Sequence, residues 1–157
     1  MRARGGGMRR PAGFSLLEML MVVALIAAMG VLAAGVLSGG LERRQLQSSA
    51  KEIASQLRFA RAQAIATGTP QRFAIDPERH AWRGADGRSG EVPERLGLAF
   101  TGAREVQSRE GEGVILFFGD GASTGGRVQV SWQQAAWNVD VAWLTGEVSL
   151  HRAQAAR

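Results

Sequence analysis

One acidic side chain, Glu18, lies inside a long apolar run and is the first candidate for chemistry in the sequence. It is the one charged residue among residues 14–37. A carboxylate in the middle of a bilayer costs about 3 kcal/mol, and a buried carboxylate is retained only where something compensates its charge. Glu18 alone therefore leaves two alternatives equally open, a functional carboxylate whose charge is compensated or a glutamate that snorkels to the membrane interface.

Enzymatic chemistry finds little support in the rest of the chain. Only His80 and His151 could act as bases at neutral pH, and neither belongs to a recognisable catalytic constellation. There is no cysteine, and the chain has no zinc-protease, EF-hand or nucleophile-elbow motif. The sequence predicts a protein that is not an enzyme, with no catalytic residues, no metal site and no cofactor.

The apolar run itself predicts a membrane helix over residues 14–37. Such a helix would be about 36 Å long, which exceeds the roughly 30 Å of a hydrocarbon core. Four arginines precede it, at positions 2, 4, 9 and 10, and the positive-inside rule then places the N-terminus in the cytoplasm. The alternative, a cleaved secretory signal peptide, would have an apolar region of only about 7 to 15 residues.

The net charge of +5 is mainly a property of this N-terminal arginine group. Without residues 1–13, the chain has 15 basic residues and 14 acidic ones. The excess positive charge is thus a topology signal, and the sequence does not predict nucleic-acid binding.

Residues 13–18, with the sequence GFSLLE, resemble the type IV prepilin processing motif. The resemblance implies cleavage between Gly13 and Phe14 by a prepilin peptidase and N-methylation of the new Phe14 terminus. It also implies that Glu18 pairs with the Phe14 amino group of a neighbouring subunit. Residues 1–13 would be the leader peptide, and a start at Met8 would make that leader shorter.

An amphipathic helix is predicted beyond the apolar run, within residues 38–69. Its stripe recurs every three or four residues, as one face of an α-helix requires, and consists of Leu46, Ala50, Ile53, Leu57, Ala60 and Ala64. Gly68 and Pro70 are expected to end the helix. The glycines at 30, 35, 39 and 40 leave two alternatives, a loosened helix or one that runs straight through.

Residues 70–157 predict a β-sheet domain, so the fold class is α+β, with the long helix packed on an antiparallel sheet. Short strands are expected near residues 71–75, 81–83, 96–101, 114–118, 127–133, 137–143 and 147–151, with a loop over 85–94. The apolar segment 114–118 favours a central strand covered on both faces. The four tryptophans are expected in the core, with a partner surface as the alternative.

Residues 117–128, FFGDGASTGGRV, resemble the signature of the H-type minor pseudopilins of type II secretion, the GspH family. Gly119 departs from the proline that this family often has there. The candidate signature residues are Phe118, Gly121, Ser123, Thr124, Gly125 and Gly126. They are expected to form turns between strands; a phosphate-binding loop would need a following lysine and a helix.

Together the two resemblances imply a pilin-like minor subunit of the type II secretion pseudopilus, which helps export folded proteins across the outer membrane. The implied partners are major and minor pseudopilins, prepilin peptidase, the inner-membrane secretion platform and secreted substrates. The implied location is the inner membrane, crossed once, with a periplasmic C-terminal domain. The alternative is a minor type IV pilin for pilus biogenesis or DNA uptake, which should carry a basic patch.

Overall fold

The computed structural model describes residues 15–102 and 111–155, except for the side chains of residues 33–39. The chain divides into two compact units, residues 1–40 and 41–157. One helix, α1, covers Leu16–Thr67. The strands are β1 Gln71–Asp76, β2 Ala81–Arg83, β3 Ser89–Glu91, β4 Gly97–Thr101, β5 Gly113–Phe117, β6 Gly126–Trp132, β7 Ala135–Val141 and β8 Val148–Gln154.

In the first unit, the apolar side chains of α1 that the structure describes are exposed. Every large hydrophobic residue from Leu16 to Leu32 keeps between 47% and 91% of its surface exposed. The backbone stays helical through residues 33–40, so helix α1 is continuous at these glycines. Within the described residues, no helix has the length and apolar character needed to cross a membrane.

In the second unit, α1 buries the predicted stripe. All six stripe residues are at most 1% exposed, and they share one hydrophobic cluster with side chains from both sheets. The stripe contains three alanines, so the helix can lie close to the sheets. The helix ends at Thr67, and Gly68 adopts the left-handed conformation (φ 65°) that favours glycine at a C-terminal cap.

The strands form two antiparallel four-stranded sheets instead of the single sheet that the sequence predicted. Their orders are β3-β2-β1-β5 and β4-β6-β7-β8. In the second sheet Val128 pairs with Val139, and Val139 pairs with Leu150. Val128 and Val139 are fully buried, and Leu150 packs against the same cluster. The α+β class and the helix packed on antiparallel strands are confirmed.

Two predictions for this domain, on a loop and on a strand, were wrong. The expected loop at 85–94 contains a 3-10 turn, Ala85–Gly87, and strand β3. Strand β5 lies at a sheet edge and not in the centre; its residues are still largely buried, because both the core and residues 123–124 cover them. Asn138 lies on the polar face as predicted, paired with Gln129 and His151. It is nevertheless only 6% exposed, and Gln129 donates a hydrogen bond of 2.8 Å to its side-chain oxygen.

The four tryptophans differ in burial, so the expectation that all lie in the core holds only in part. Trp82 is buried and stacks on Phe73, with ring centroids 5.9 Å apart. Trp132 and Trp137 are partly buried against the core. Trp143, predicted to face inward on β7, lies in the turn after that strand and is 69% exposed. The strand ends at Val141, so the inward alternation does not reach residue 143.

Candidate assembly site

Glu18 lies in the first turn of α1, where the helix dipole favours a negative charge. The backbone N–H of Leu17 donates to the Ser15 hydroxyl at 3.2 Å, and the N–H of Met19 donates to the Ser15 carbonyl at 3.1 Å. Ser15 therefore caps the helix start. These contacts fix the backbone around Glu18 in a helix.

The carboxylate of Glu18 is exposed among exposed apolar side chains. Among the described residues of the chain, no lysine, arginine or histidine lies within ion-pair distance of it. A single carboxylate on an apolar helix surface can accept an ammonium group while the apolar side chains around it pack on another helix. The two other residues predicted for this site, Gly13 and Phe14, lie outside the described residues.

The second predicted group, the signature loop of residues 118–126, connects β5 to β6. The N–H of Gly121 donates to the Phe118 carbonyl at 2.9 Å, and the N–H of Phe118 donates to the Ala122 carbonyl at 2.9 Å. Asp120 accepts a hydrogen bond from the N–H of Ala122 at 3.0 Å. Gly121 adopts φ 89°, a conformation that side chains disfavour. This part of the loop forms a tight turn, as predicted.

Ser123 and Thr124 use their hydroxyl groups to attach the loop to both sheets. The Ser123 hydroxyl donates to the Ala142 carbonyl at 3.0 Å and accepts from the N–H of Gly125 at 3.0 Å. The Thr124 hydroxyl accepts from the N–H of Leu116 at 3.1 Å. Because these hydroxyl groups are engaged with backbone, the geometry favours the turn interpretation over a phosphate-binding loop.

Close packing accounts for the glycines that follow. A Cβ atom on Gly125, which has φ 71°, would lie 3.0 Å from the Cβ of Trp143. A Cβ atom on Gly126, which has φ 149°, would lie between 3.2 and 3.3 Å from Phe100 and Ile115. Phe118, by contrast, is 37% exposed and stands outside this packing.

The sequence reasoning missed Arg61, which fastens the signature loop to the helix. Its Nε donates to the carbonyls of Gly121 at 3.3 Å and Thr145 at 3.0 Å. Arg61 lies off the apolar stripe and looked like an ordinary solvated residue. Spacing of three or four residues predicts which face of the helix is buried. It does not predict hydrogen bonds to loops that are distant in sequence.

The sequence also missed a buried carboxylate, Glu112, which is 5% exposed. It accepts hydrogen bonds from Arg72 at 3.0 Å and Arg83 at 2.5 Å. A similar group lies on the second sheet, where Asp140 contacts Arg127 and lies 3.3 Å from His151. The hydrogen bond that Arg127 donates to the Asp140 carboxylate, more than the charge of that carboxylate, raises the pKa of Arg127 above the usual arginine value. Both groups depend on cross-strand register, which residue types alone do not determine.

Two family models match the chain. Residues 49–146 match the family described as "Type II transport protein GspH". The matched segment lies within the second unit and includes the signature loop. Residues 8–37 match the model described as "Prokaryotic N-terminal methylation motif". This second match covers Gly13, Phe14 and Glu18.

The chain is also similar to a curated relative and to solved structures. The chain is 57% identical over 140 residues to "Type II secretion system protein H" from Xanthomonas campestris pv. campestris, which covers 89% of this chain and 83% of the relative. The minor pseudopilin EpsH of Vibrio cholerae is similar in structure, with a TM-score of 0.56, 17% identity and coverage of 68% of this chain and 96% of EpsH. The type IV minor pilin FimU of Pseudomonas aeruginosa has a TM-score of 0.54, 16% identity and coverage of 70% and 90%. At these identities the structural likeness identifies the fold.

Proposed function

The chain belongs to the GspH family of type II transport proteins, and from that premise we propose that it assembles into the type II secretion pseudopilus through an ion pair at Glu18. It is a minor pseudopilin, a component of the cell-envelope secretion apparatus whose partners are other pseudopilins. Its part in the assembly is to help export folded proteins across the outer membrane. The family model and the curated relative favour this function over the minor type IV pilin alternative.

The observation that carries the proposed ion pair is the isolation of Glu18 on an exposed apolar helix surface. Cleavage after Gly13 by prepilin peptidase frees the Phe14 amino group, which becomes N-methylated and keeps its positive charge. The carboxylate of one subunit then pairs with the Phe14 ammonium of its neighbour. Because this ammonium exists only after cleavage, an unprocessed chain cannot complete the pair.

Residues 14–37 anchor the subunit in the inner membrane before assembly. The support for this part of the proposal is the apolar run and the four arginines before it, which keep the N-terminus in the cytoplasm. Helix α1 continues to Thr67, and residues 70–157 form the periplasmic domain. The anchored subunit contacts the inner-membrane platform, which adds it to the pseudopilus. The assembled pseudopilus then contacts the secreted substrates.

Replacement of Glu18 tests the ion pair directly. In Glu18→Gln the neighbour's ammonium is left without a carboxylate in an apolar bundle, at a cost of about 3 kcal/mol. We expect secretion of a folded extracellular enzyme to fall at least about tenfold, because each 1.4 kcal/mol is a factor of ten. The measurement is the ratio of extracellular to periplasmic enzyme activity in cells that carry the variant gene as their only copy.

The matched control is Glu52→Gln, which removes an exposed glutamate from the same helix and should leave secretion unchanged. Mass analysis of the membrane-extracted chains should show that both variants begin at methylated Phe14, so that a defect reflects assembly and not processing. Normal secretion by Glu18→Gln would exclude the ion pair. A mature chain that begins near residue 35 and is recovered free of membranes would exclude the anchor as well.

A further inference from the structure

A basic groove lies in the second unit, between the part of α1 that follows residue 40 and the edge of the second sheet. It has a volume of about 300 Å³ and is lined by Arg43 and Arg44 of α1, Trp137 of β7 and Arg152 of β8. Neither the signature loop nor Glu18 belongs to it. The groove is therefore a feature that the ion pair and the signature loop leave unexplained.

The groove carries three positive charges that the chain does not neutralise. Arg43, Arg44 and Arg152 are all exposed, and among the described residues none of the three has a carboxylate within 4.0 Å. The nearest acid in sequence, Glu42, pairs with Arg95 at 3.6 Å. The described residues that line the groove include no acidic side chain. This concentration of charge contrasts with the near neutrality of residues 14–157 and indicates an anionic ligand.

Aromatic side chains accompany the arginines. The Arg152 guanidinium lies 5.3 Å from the centre of the Trp137 ring, within the range of a cation–π contact. A neighbouring hollow shares Arg43 with the groove and adds Trp132 at the end of β6. Tryptophan is enriched at the level of lipid headgroups, because its ring has an apolar body and a polar N–H. Arginine and tryptophan together match a phospholipid headgroup better than a free inorganic ion.

The position of the groove in the chain identifies where such a ligand would come from. Arg43 follows residue 37, the end of the proposed anchor, by six residues. Even a fully extended connection of six residues spans only about 21 Å, so Arg43 cannot lie far from the membrane surface. Arg44 lies one residue further along the chain.

We infer that this groove binds the headgroup phosphate of an anionic phospholipid, from the periplasmic leaflet of the inner membrane. The inference rests on the proposed membrane anchor. Arg43, Arg44 and Arg152 hold the phosphate, while Trp137 and Trp132 lie at the level of the glycerol backbone. Before assembly, the contact with the lipid orients the periplasmic domain on the bilayer. When the subunit enters the pseudopilus, contacts with other subunits replace the contact with the lipid.

The test compares anionic and zwitterionic lipid on the full chain. The chain is purified in neutral detergent and titrated with mixed micelles that contain either phosphatidylglycerol or phosphatidylcholine, with tryptophan fluorescence as the readout. We expect tighter binding of phosphatidylglycerol, and an affinity about a hundredfold lower in the triple variant Arg43→Gln, Arg44→Gln, Arg152→Gln, since each basic residue near an anionic surface contributes several-fold. The preference should weaken with added salt.

The matched control removes the same charge elsewhere, with Lys51→Gln, Arg79→Gln and Arg88→Gln, all exposed and outside the groove. It should keep the preference for phosphatidylglycerol. Equal affinity for the two lipids, or an equal loss in the control, would overturn the inference. Two further outcomes would do the same: full competition by millimolar inorganic phosphate, which would show a free-anion site, and binding of an acidic peptide with no lipid preference, which would show a protein site.

Membrane fractionation of cells separates this inference from the proposed anchor. If the groove fails but the anchor holds, the wild-type chain and the triple variant both remain in the membrane fraction, and no lipid preference is found. If the anchor fails, the wild-type chain itself is recovered without membranes. The two failures therefore give different results in the same set of strains.

Discussion

The two parts of helix α1 differ in the exposure of their apolar side chains. In the second unit the stripe from Leu46 to Ala64 is at most 1% exposed, because the two sheets cover it. In the first unit the large apolar residues from Leu16 to Leu32 are between 47% and 91% exposed. One continuous helix thus contains a segment that packs on the sheets and a segment whose described apolar side chains form an exposed surface of the kind that binds a partner.

The acidic residues show the same difference. Glu112 in the second unit is buried and receives hydrogen bonds from Arg72 and Arg83. Glu18 in the first unit is exposed, and no described residue of its own chain pairs with it. Folding pairs the buried acid of the second unit, whereas under the proposed function assembly pairs the exposed acid of the first. Substitutions in the two units should therefore affect different measurements, stability for one and secretion for the other.

Truncation of a leucine in each unit should give the largest contrast in stability. Leu57→Ala removes a fully buried side chain from the core and should lower the free energy of unfolding by about 3 kcal/mol. Leu25→Ala removes one that is 61% exposed and should change the same free energy by less than about 0.5 kcal/mol. Thermal unfolding of the full chain in neutral detergent, followed by circular dichroism, measures both. Equal destabilisation would mean that the first unit is also packed within the chain.

Neutralisation of Glu112 and of Glu18 should give the next largest difference in stability between the two units. Glu112→Gln should destabilise the chain by about 2 kcal/mol, less than a fully buried ion pair, because the side chains of Arg72 and Arg83 are 41% and 58% exposed. Glu18→Gln should leave stability within about 0.5 kcal/mol of the original chain. The same melting experiment measures both variants. A large loss for Glu18→Gln would reveal an unexpected partner within the chain.

The sequence predicted best those features that depend on local spacing. The stripe of α1, its end at Thr67, the α+β class and most strands follow from periodicity and from turn residues, and these were confirmed. Glu18 could be singled out as a candidate because a charge in an apolar run is conspicuous in any sequence, and its role stays a prediction. The glycine turns of the signature loop could be recognised for a similar reason, since Gly121 and Gly125 require positive φ.

Features that depend on contacts distant in sequence could not be predicted in this way. The edge position of β5 depends on strand order, and the burial of Asn138 depends on its pairing with Gln129. Trp143 alternates in register with Val141 but lies beyond the end of β7. The groove arginines come from positions more than a hundred residues apart, Arg43 and Arg152. No local pattern contains the information that brings such residues together.

Glycine-to-alanine substitutions should give the smallest changes in stability, and the change should be opposite in sign in the two units. Gly125→Ala should destabilise the second unit by about 1 to 2 kcal/mol, because alanine disfavours the left-handed conformation and its Cβ would lie too close to Trp143. Gly40→Ala should raise helix stability by up to about 1 kcal/mol, because Gly40 is helical and its added Cβ would meet nothing within 4 Å. Melting temperature reports the first, and the helical signal in circular dichroism reports the second. If Gly40→Ala kept or raised helicity but lowered secretion, the glycine would allow a bend that the helix needs in the pseudopilus. Unchanged secretion would mean that assembly does not need such a bend.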